Sequence, residues 1–557
     1  MSNTRAPQEE LAVLWQNVRA KPTDESKWQA LGAYLFEARS YEKAILAFTQ
    51  ATRLNTTNGY SWLGLARAQS EYGLFKDALD SFARATLLLP RSPSARLGAA
   101  TALPRIVSSR KEIFECRRRM SLALKQIIED GPLTDNDWQG EKKTNNFYSV
   151  YHNLNDRALQ SLLARAHLAA CPKLAWRAPH CCGDIPFRYN RRIRLGIASA
   201  FLRYHTIGKL NLGMIQELNK DQFEVFILRS KPSSDSIADA IDYVADRSIV
   251  LPRNIAEARE TVARLKLDVL HYPEIGMSSF FYLLAFARLA SIQTVTWGHP
   301  NTTGIPNLDY FISSNCLEPR DAQLHYTEQL VRLDGPPTCY RRPTPPSNCL
   351  NRGHFGLPES AHIYACPHTL FRMHPDFDDV IRLLLQRDPV GYVIFIDDTR
   401  TPLWGKLLRR RLSSILFDQM NRIVFLPSMG HKEFLNLLKI ADCILDPNTF
   451  SGGNTTYESF AVGTPVVTWK NAPFLRGRIT SGLYSYMGIS HMVARSPGEY
   501  VEIAMVLAND REKRREASQL ISEHSGLIFD NTTLVRNLEI FWREARAASR
   551  PPVSLRS

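Results

Sequence analysis

Five residues near the N-terminus, Trp28, Leu31, Ala44, Phe48 and Ala51, recur 34 residues later as Trp62, Leu65, Ala78, Phe82 and Ala85. That period, with aromatics and small alanines at fixed offsets, predicts paired antiparallel helices of the tetratricopeptide kind. The alanines let the two helices approach, and the aromatics fill the space between them. Pro90 closes the second unit, and Pro104 interrupts what would be a third. A repeat buries its apolar face only against a neighbour, so two units need flanking helices, such as one over Glu9 to Val18.

Beyond the repeats, Lys111 to Asp130 reads as a charged helix, Gly131 to Asn145 as a polar connection, and Asp156 to Ala170 as a further helical block. At Arg194 the character changes. Arg194 to Ala200, Phe223 to Leu228, Leu267 to His271, Gln293 to Thr296 and Tyr310 to Ile312 read as short apolar strands with helical text between several of them. A Pro-rich stretch from Pro336 to Pro346 reads as a linker, after which the pattern restarts. Strands are expected at His362 to Cys366, Tyr392 to Ile396, Ile423 to Leu426, Cys443 to Leu445 and Pro465 to Thr468. Helices are expected at Asp376 to Gln386, Leu403 to Leu416 and Lys432 to Ile440, with a closing helix at Asn531 to Arg543. The division is helical repeats over 1–105, a helical connector over 106–190, and two α/β lobes over 191–345 and 346–557. Strands alternating with helices predict mainly parallel sheets. Two such doubly wound, Rossmann-like lobes face a cleft at their strand ends, where ligands of these sheets bind.

Four loops carry candidate chemistry. In Phe450 to Val467, Gly452 and Gly453 permit close backbone approach, and Asn454 or Thr455 is suited to cap a helix running to Val462. The free N–H groups and positive dipole end of that helix suit a diphosphate, and Glu458, one turn in, a ribose. A plain capped turn accounts for the same residues equally well. In Cys366 to Pro375, Arg372 stands at a strand-to-helix corner where a guanidinium can neutralise a departing phosphate; a surface Arg before a helix is the other reading. His205, in the loop Phe201 to Lys209, could act as a base or position a substrate, although a lone loop histidine more often does neither. His299 and Thr302, in Trp297 to Gly304, could reach the cleft or simply form a tight turn. No Asp-x-Asp is read between strands for a metal-bound diphosphate, no phosphate loop or nucleophile elbow is present, and Asp397-Asp398 lacks metal-ligand spacing. Donor activation by a helix dipole and Arg is therefore expected in place of Mg²⁺.

The chain has 557 residues, 44% apolar and 22% charged, enough for about three or four domains without metal or disulfide. The start has no apolar run of the secretory kind, and the longest greasy stretch, Phe280 to Ile292, is broken by Arg288, so a cytoplasmic chain without a membrane span is expected. Nine cysteines show no C-x-x-C frame, and the adjacent Cys181-Cys182 pair is poorly spaced for a metal, so reduced structural thiols are expected. The net charge of +14 includes Arg117-Arg118-Arg119, Arg409-Arg410-Arg411 and Lys513-Arg514-Arg515. Such runs in helical text are usually solvated faces, and no recognition-helix or aromatic-interleaved signature accompanies them. Attraction of an anionic nucleotide-linked ligand is favoured over nucleic acid.

Taken in order, Tyr204-His-Thr-Ile-Gly-Lys209, Ala290 to Gly304, Leu370-Phe-Arg-Met-His-Pro375 and Gly452-Gly-Asn-Thr-Thr-Tyr-Glu458 resemble the protein O-linked N-acetylglucosaminyltransferase and SPINDLY-like family, glycosyltransferase family 41, over roughly Arg194 to Arg543. The resemblance implies a GT-B fold behind tetratricopeptide repeats, inversion at the anomeric carbon, a UDP- or GDP-linked donor on the C-terminal side and acceptor access past the repeats. It matches His205 to the family's active-site histidine, Asn454-Thr455-Thr456 to the phosphate-holding helix start, and His431 to a uridine-contacting segment. Arg372 stands where animal enzymes carry a diphosphate-binding lysine, keeping the charge but changing the geometry. Phe434, Ser459 and Asn454 replace a nucleotide-contacting His, a ribose-binding Asp and a His, with Glu458 a substitute for that Asp from the next position.

The leading expectation is inverting, metal-independent transfer of N-acetylglucosamine from UDP-N-acetylglucosamine to Ser or Thr of a protein held by the repeats and cleft, with no cofactor beyond the nucleotide sugar. O-fucosyl transfer, Asn-linked glucosyl transfer and a non-catalytic repeat scaffold are the alternatives.

Overall fold

The computed structural model describes residues 7–133, 147–182 and 191–548. The start of the chain and most of the expected polar connection, from residue 134, lie outside them. Residues 7–133, 169–171 and 397–414 cluster as one compact unit, and the other described residues form a second.

In the first unit the repeats are helix pairs, Glu25–Glu37 with Tyr41–Leu54 and Gly59–Tyr72 with Phe75–Leu88. Asp24 accepts from the Ser26 N–H and Asn58 from the Tyr60 N–H, so the caps also recur 34 residues apart. Phe48 packs against Gly64 and Phe82 against Gly98, where a Cβ would run into the ring. The same small-against-aromatic contact thus continues into a helix over Pro93–Thr101, and Pro104 falls in the irregular stretch before the helix Arg110–Asp130. The expected N-terminal helix covers Pro7–Ala20, and Leu11, Leu14 and Val18 join the core of the first repeat. Residues 397–414, expected in the second α/β lobe, also belong here: Trp404 lies over Gly73, and Arg411 donates to the Val107 carbonyl at 2.6 Å.

The second unit holds both sheets. The first is built from β1 (Ile193–Ala198), β2 (Phe223–Arg229), β3 (Arg247–Val250), β4 (Leu267–Tyr272), β5 (Ala290–Thr296), β6 (Tyr310–Ser314) and β7 (Gln329–Leu333), in spatial order β3-β2-β1-β4-β5-β6-β7 with every pairing parallel. The second comprises β8 (His362–Ala365), β9 (Gly391–Asp397), β10 (Ile423–Pro427), β11 (Cys443–Leu445), β12 (Val466–Trp469) and β13 (Val493–Ala494), in order β10-β9-β8-β11-β12-β13. Strand order reverses between β1 and β4 and between β8 and β11, which places the two ligand crevices beyond the C-terminal ends of those strands. The architecture is GT-B, two Rossmann-like lobes preceded in sequence by an all-helical region.

Two connections tie the lobes. The closing helix, Thr533–Ala548, buries Leu534, Val535, Leu538 and Trp542 in the core of the first lobe, Trp542 packing edge-on to Phe223 and His271. The stretch expected as a linker is not loose in its first half. Pro336 to Tyr340 are buried, the Trp297 indole donates to the Pro337 carbonyl at 3.0 Å, and the Tyr340 hydroxyl meets the Asn454 amide oxygen. Among the described residues no helix is long and apolar enough to cross a membrane, and Phe280 to Ile292 is a buried helix and strand of the first lobe. All three basic runs are helical, and each has one Arg turned inward: Arg119 to the Ala99 carbonyl, Arg411 as above, Arg514 to Asp442 and the Ala508 carbonyl.

Candidate functional site

The crevice between the lobes holds a pocket open to solvent. Thr206, Leu210, Trp297, Gly298 and Pro300 line it from the first lobe. Pro367, His368, Thr369, Arg372, Phe450, Gly453, Asn454, Thr455 and Ile479 line it from the second. All four loops expected to carry chemistry therefore meet in one space.

The glycine-rich turn follows β11. Asp446, fully buried at the strand's end, accepts from the Gly452 N–H, the Ser451 hydroxyl and the Thr468 hydroxyl, each at 2.7 Å. Burial raises its pKa, against the pull of those donors. This carboxylate holds the turn that aims the helix Asn454–Ala461. The expectation that Asn454 or Thr455 caps that helix does not hold: Gly453 occupies the cap position without a side-chain bond, and the Asn454 side chain is turned to Tyr340. The first N–H groups have no carbonyl partner within the helix, so its positive end opens toward the cavity through Gly453, Asn454 and Thr455. Thr456 lies one layer deeper, bonded to the Gly452 carbonyl and, at 2.7 Å, to Thr480.

Arg372 ends a short helical turn, Leu370–Arg372, after β8. Its guanidinium lies 4.5 Å from the Phe450 ring centroid, with Tyr151 within hydrogen-bonding reach. Tyr151 comes from the connector turn Phe147–His152 and packs on both Phe371 and Phe450 at 4.8 Å. Burial lowers the Arg372 pKa, while the Tyr151 hydroxyl and Asp446 oppose it, so the cation is held in place by aromatic faces and a distant carboxylate.

His205 caps the helix Thr206–Glu217, its Nδ1 accepting the Ile207 N–H at 3.2 Å, with its ring stacked on Phe201. An accepting Nδ1 puts the neutral ring's proton on Nε2, so that edge donates and does not accept a proton. The adjacent Thr206, not His205, lines the cavity.

Four expected contacts are directed elsewhere. His299 is buried with Nε2 at 3.2 Å from the Phe147 carbonyl, and burial pushes its pKa down to about 4. Thr302 donates to the buried Glu328 at 2.6 Å. Glu458 is 2% exposed and is held on one oxygen by Lys209 Nζ and His431 Nε2, both at 2.8 Å. Burial would raise its pKa, but His431 and Lys209 win and hold it below the usual value. Glu458 and His431 thus join the second lobe to a lysine of the first and do not line the cavity. Their partners Phe147, Glu328 and Lys209 come from other parts of the chain.

The sequence reading missed Lys209, inside the quoted Tyr204 to Lys209 segment, and His368, four residues before Arg372 in the same loop. It also missed Asp446, whose strand-end position is a readable signal, and Tyr151, which has none. At the first lobe's switch point it missed Glu274, fully buried and bonded by the Ser199 hydroxyl and the Met277 N–H. Burial pushes this carboxyl up to about 8. The folded chain therefore keeps a proton that the unfolded chain releases above pH 4.5, and stability from this group falls as pH rises from there to about 8. Glu274→Gln is expected to flatten that loss: the difference in melting temperature from the parent widens in the variant's favour from pH 5 to pH 8. A difference independent of pH would contradict the assignment. Among the described residues, no three His, Cys, Asp or Glu side chains are grouped to hold a metal ion.

Residues 345–537 match the model of glycosyl transferase family 41. The chain is 24% identical over 367 residues to the Arabidopsis thaliana protein described as a probable UDP-N-acetylglucosamine–peptide N-acetylglucosaminyltransferase SEC, covering 63% of this chain and 36% of that protein. It is 29% identical over 271 residues to the tomato (Solanum lycopersicum) SPINDLY protein, which carries the same enzyme description, covering 46% of this chain and 28% of that protein. The chain spans about a third of the length of these curated relatives. A solved O-GlcNAc transferase mutant from Thermobaculum terrenum shares its fold, with a TM-score of 0.69 at 21% identity over 98% of this chain and 95% of that one.

Proposed function

We propose that this chain, whose residues 345–537 match the model of glycosyl transferase family 41, moves a sugar from a nucleoside-diphosphate donor onto a protein. The observation that carries the reading is that the Arg372 guanidinium and the opening N–H groups of the helix Asn454–Ala461 line the same cavity, at the crevice where the strand order reverses. When the bond between the anomeric carbon and the phosphate oxygen breaks, negative charge builds on the departing nucleoside diphosphate. A fixed cation and a helix dipole stabilise that charge more than the ground state, which is the condition for lowering the barrier. Activation by these groups is the metal-independent reading. The acceptor hydroxyl attacks the anomeric carbon from the first-lobe side with inversion as the bond to the phosphate oxygen breaks, its proton leaving to water, and His205 acts from behind Thr206 by capping the helix whose start lines the cavity.

N-acetylglucosamine from UDP-N-acetylglucosamine onto Ser or Thr is the leading donor and acceptor pair, and the relatives' printed activities support it. The helical repeats offer the protein acceptor a further binding surface. The test is to incubate the protein separately with UDP-N-acetylglucosamine, GDP-fucose and UDP-glucose and to read modified protein by mass spectrometry. The expected result is a mass shift of N-acetylglucosamine on Ser or Thr. No shift and no binding with any of the three would end the enzyme reading and leave the scaffold.

A further inference from the structure

His368 follows β8 in the loop that ends at Arg372, and its side chain is 1% exposed while lining the cavity. Neither ring nitrogen has a hydrogen-bond partner. Its nearest carboxylate oxygen, on Asp446, is 3.8 Å from Nε2, too far for a hydrogen bond, and Asp446 already accepts from three other donors. A buried polar side chain without a partner is rare, because leaving it unbonded sacrifices the hydration it had in water. The ring packs against the turn, 3.0 Å from where a Cβ on Gly452 would sit. Burial first, and the Arg372 cation second, push its pKa down to about 3 against a weaker pull from the Leu445 backbone that falls short of a well-formed hydrogen bond, so it stands as a neutral ring with one N–H to give. The other residues of this lining that point to a ligand, Arg372 and the helix start, are donors as well, and a group bound among them must be rich in acceptor oxygens. A pyrophosphate is such a group.

We propose that His368 donates a hydrogen bond to the pyrophosphate of the bound nucleotide, as a third donor beside Arg372 and the start of the helix Asn454–Ala461. This rests on the nucleotide-sugar reading above. Calorimetric titration of the parent chain and of His368→Leu with UDP, GDP, UMP and GMP separates the two claims. For whichever diphosphate the parent binds, His368→Leu should lose about 10- to 100-fold in affinity, the range for a hydrogen bond to a charged group, while the matching monophosphate changes far less. His368→Gln, which retains an N–H, should recover most of the loss. Should the leucine variant not fold, His368→Asn, whose shorter amide reaches less far, carries the same expectation. An unchanged diphosphate affinity overturns the proposal and leaves the enzyme reading standing. So does an equal loss for mono- and diphosphate, which marks general damage, or a loss seen only with the nucleotide sugar, which puts the contact on the sugar. A parent chain that binds none of these nucleotides overturns the enzyme reading itself, and this proposal with it.

Discussion

Arg372→Ala is expected to lower kcat/KM for the sugar donor by about 30- to 1,000-fold, or about 2–4 kcal/mol of transition-state stabilisation, the size found when one preorganised donor is removed from a developing anion. The effect should fall mainly on kcat, because the charge it meets grows as the sugar bond breaks. The guanidinium is fixed by Phe450 and Tyr151 before any ligand arrives, so little reorganisation offsets its contribution. Arg372→Lys should restore part of the rate and not all, since an ammonium keeps the charge but loses the planar fork and the stacking on Phe450. Steady-state kinetics with the active donor check this, and an unchanged kcat in the alanine variant would remove Arg372 from the site.

Asp446→Ala should be the most damaging single change to the second lobe, costing about 2–4 kcal/mol because it strands the buried Gly452 N–H and forces the Ser451 and Thr468 hydroxyls to find new acceptors. Ser451 retains Thr480 as a partner, which limits the loss. The glycine-rich turn is held by this carboxylate, so nucleotide affinity should fall with stability. Differential scanning calorimetry with and without nucleotide reads both. A melting temperature equal to the parent's would mean that the turn is held by other contacts.

Much of this architecture is legible in the text of the chain, for a physical reason. Parallel strands covered on both faces are continuous apolar runs, and β1, β2, β4 and β5 were each locatable from such runs. The edge strand β3 has three of its four residues exposed, and β13 is two residues long, so neither leaves a hydrophobic signature. Arg372 and the helix start were locatable because they follow strands directly, and strand ends are where these sheets bind ligands. Thr302, His431 and Glu458 misled because their true partners, Glu328 and Lys209, are set by tertiary approach. The role of Tyr151 was invisible for the same reason: a connector residue reaches Arg372 only after the chain has folded. Residues 397–414 carry ordinary amphipathic helical text, which does not say against which unit that face packs.

The most direct test of the account is a crystal structure of this chain with UDP or GDP bound. The pyrophosphate is expected between the Arg372 guanidinium and the N–H groups of Asn454 and Thr455, inside the cavity between the two lobes. A diphosphate bound elsewhere, or one in that cavity that touches neither group, would contradict it.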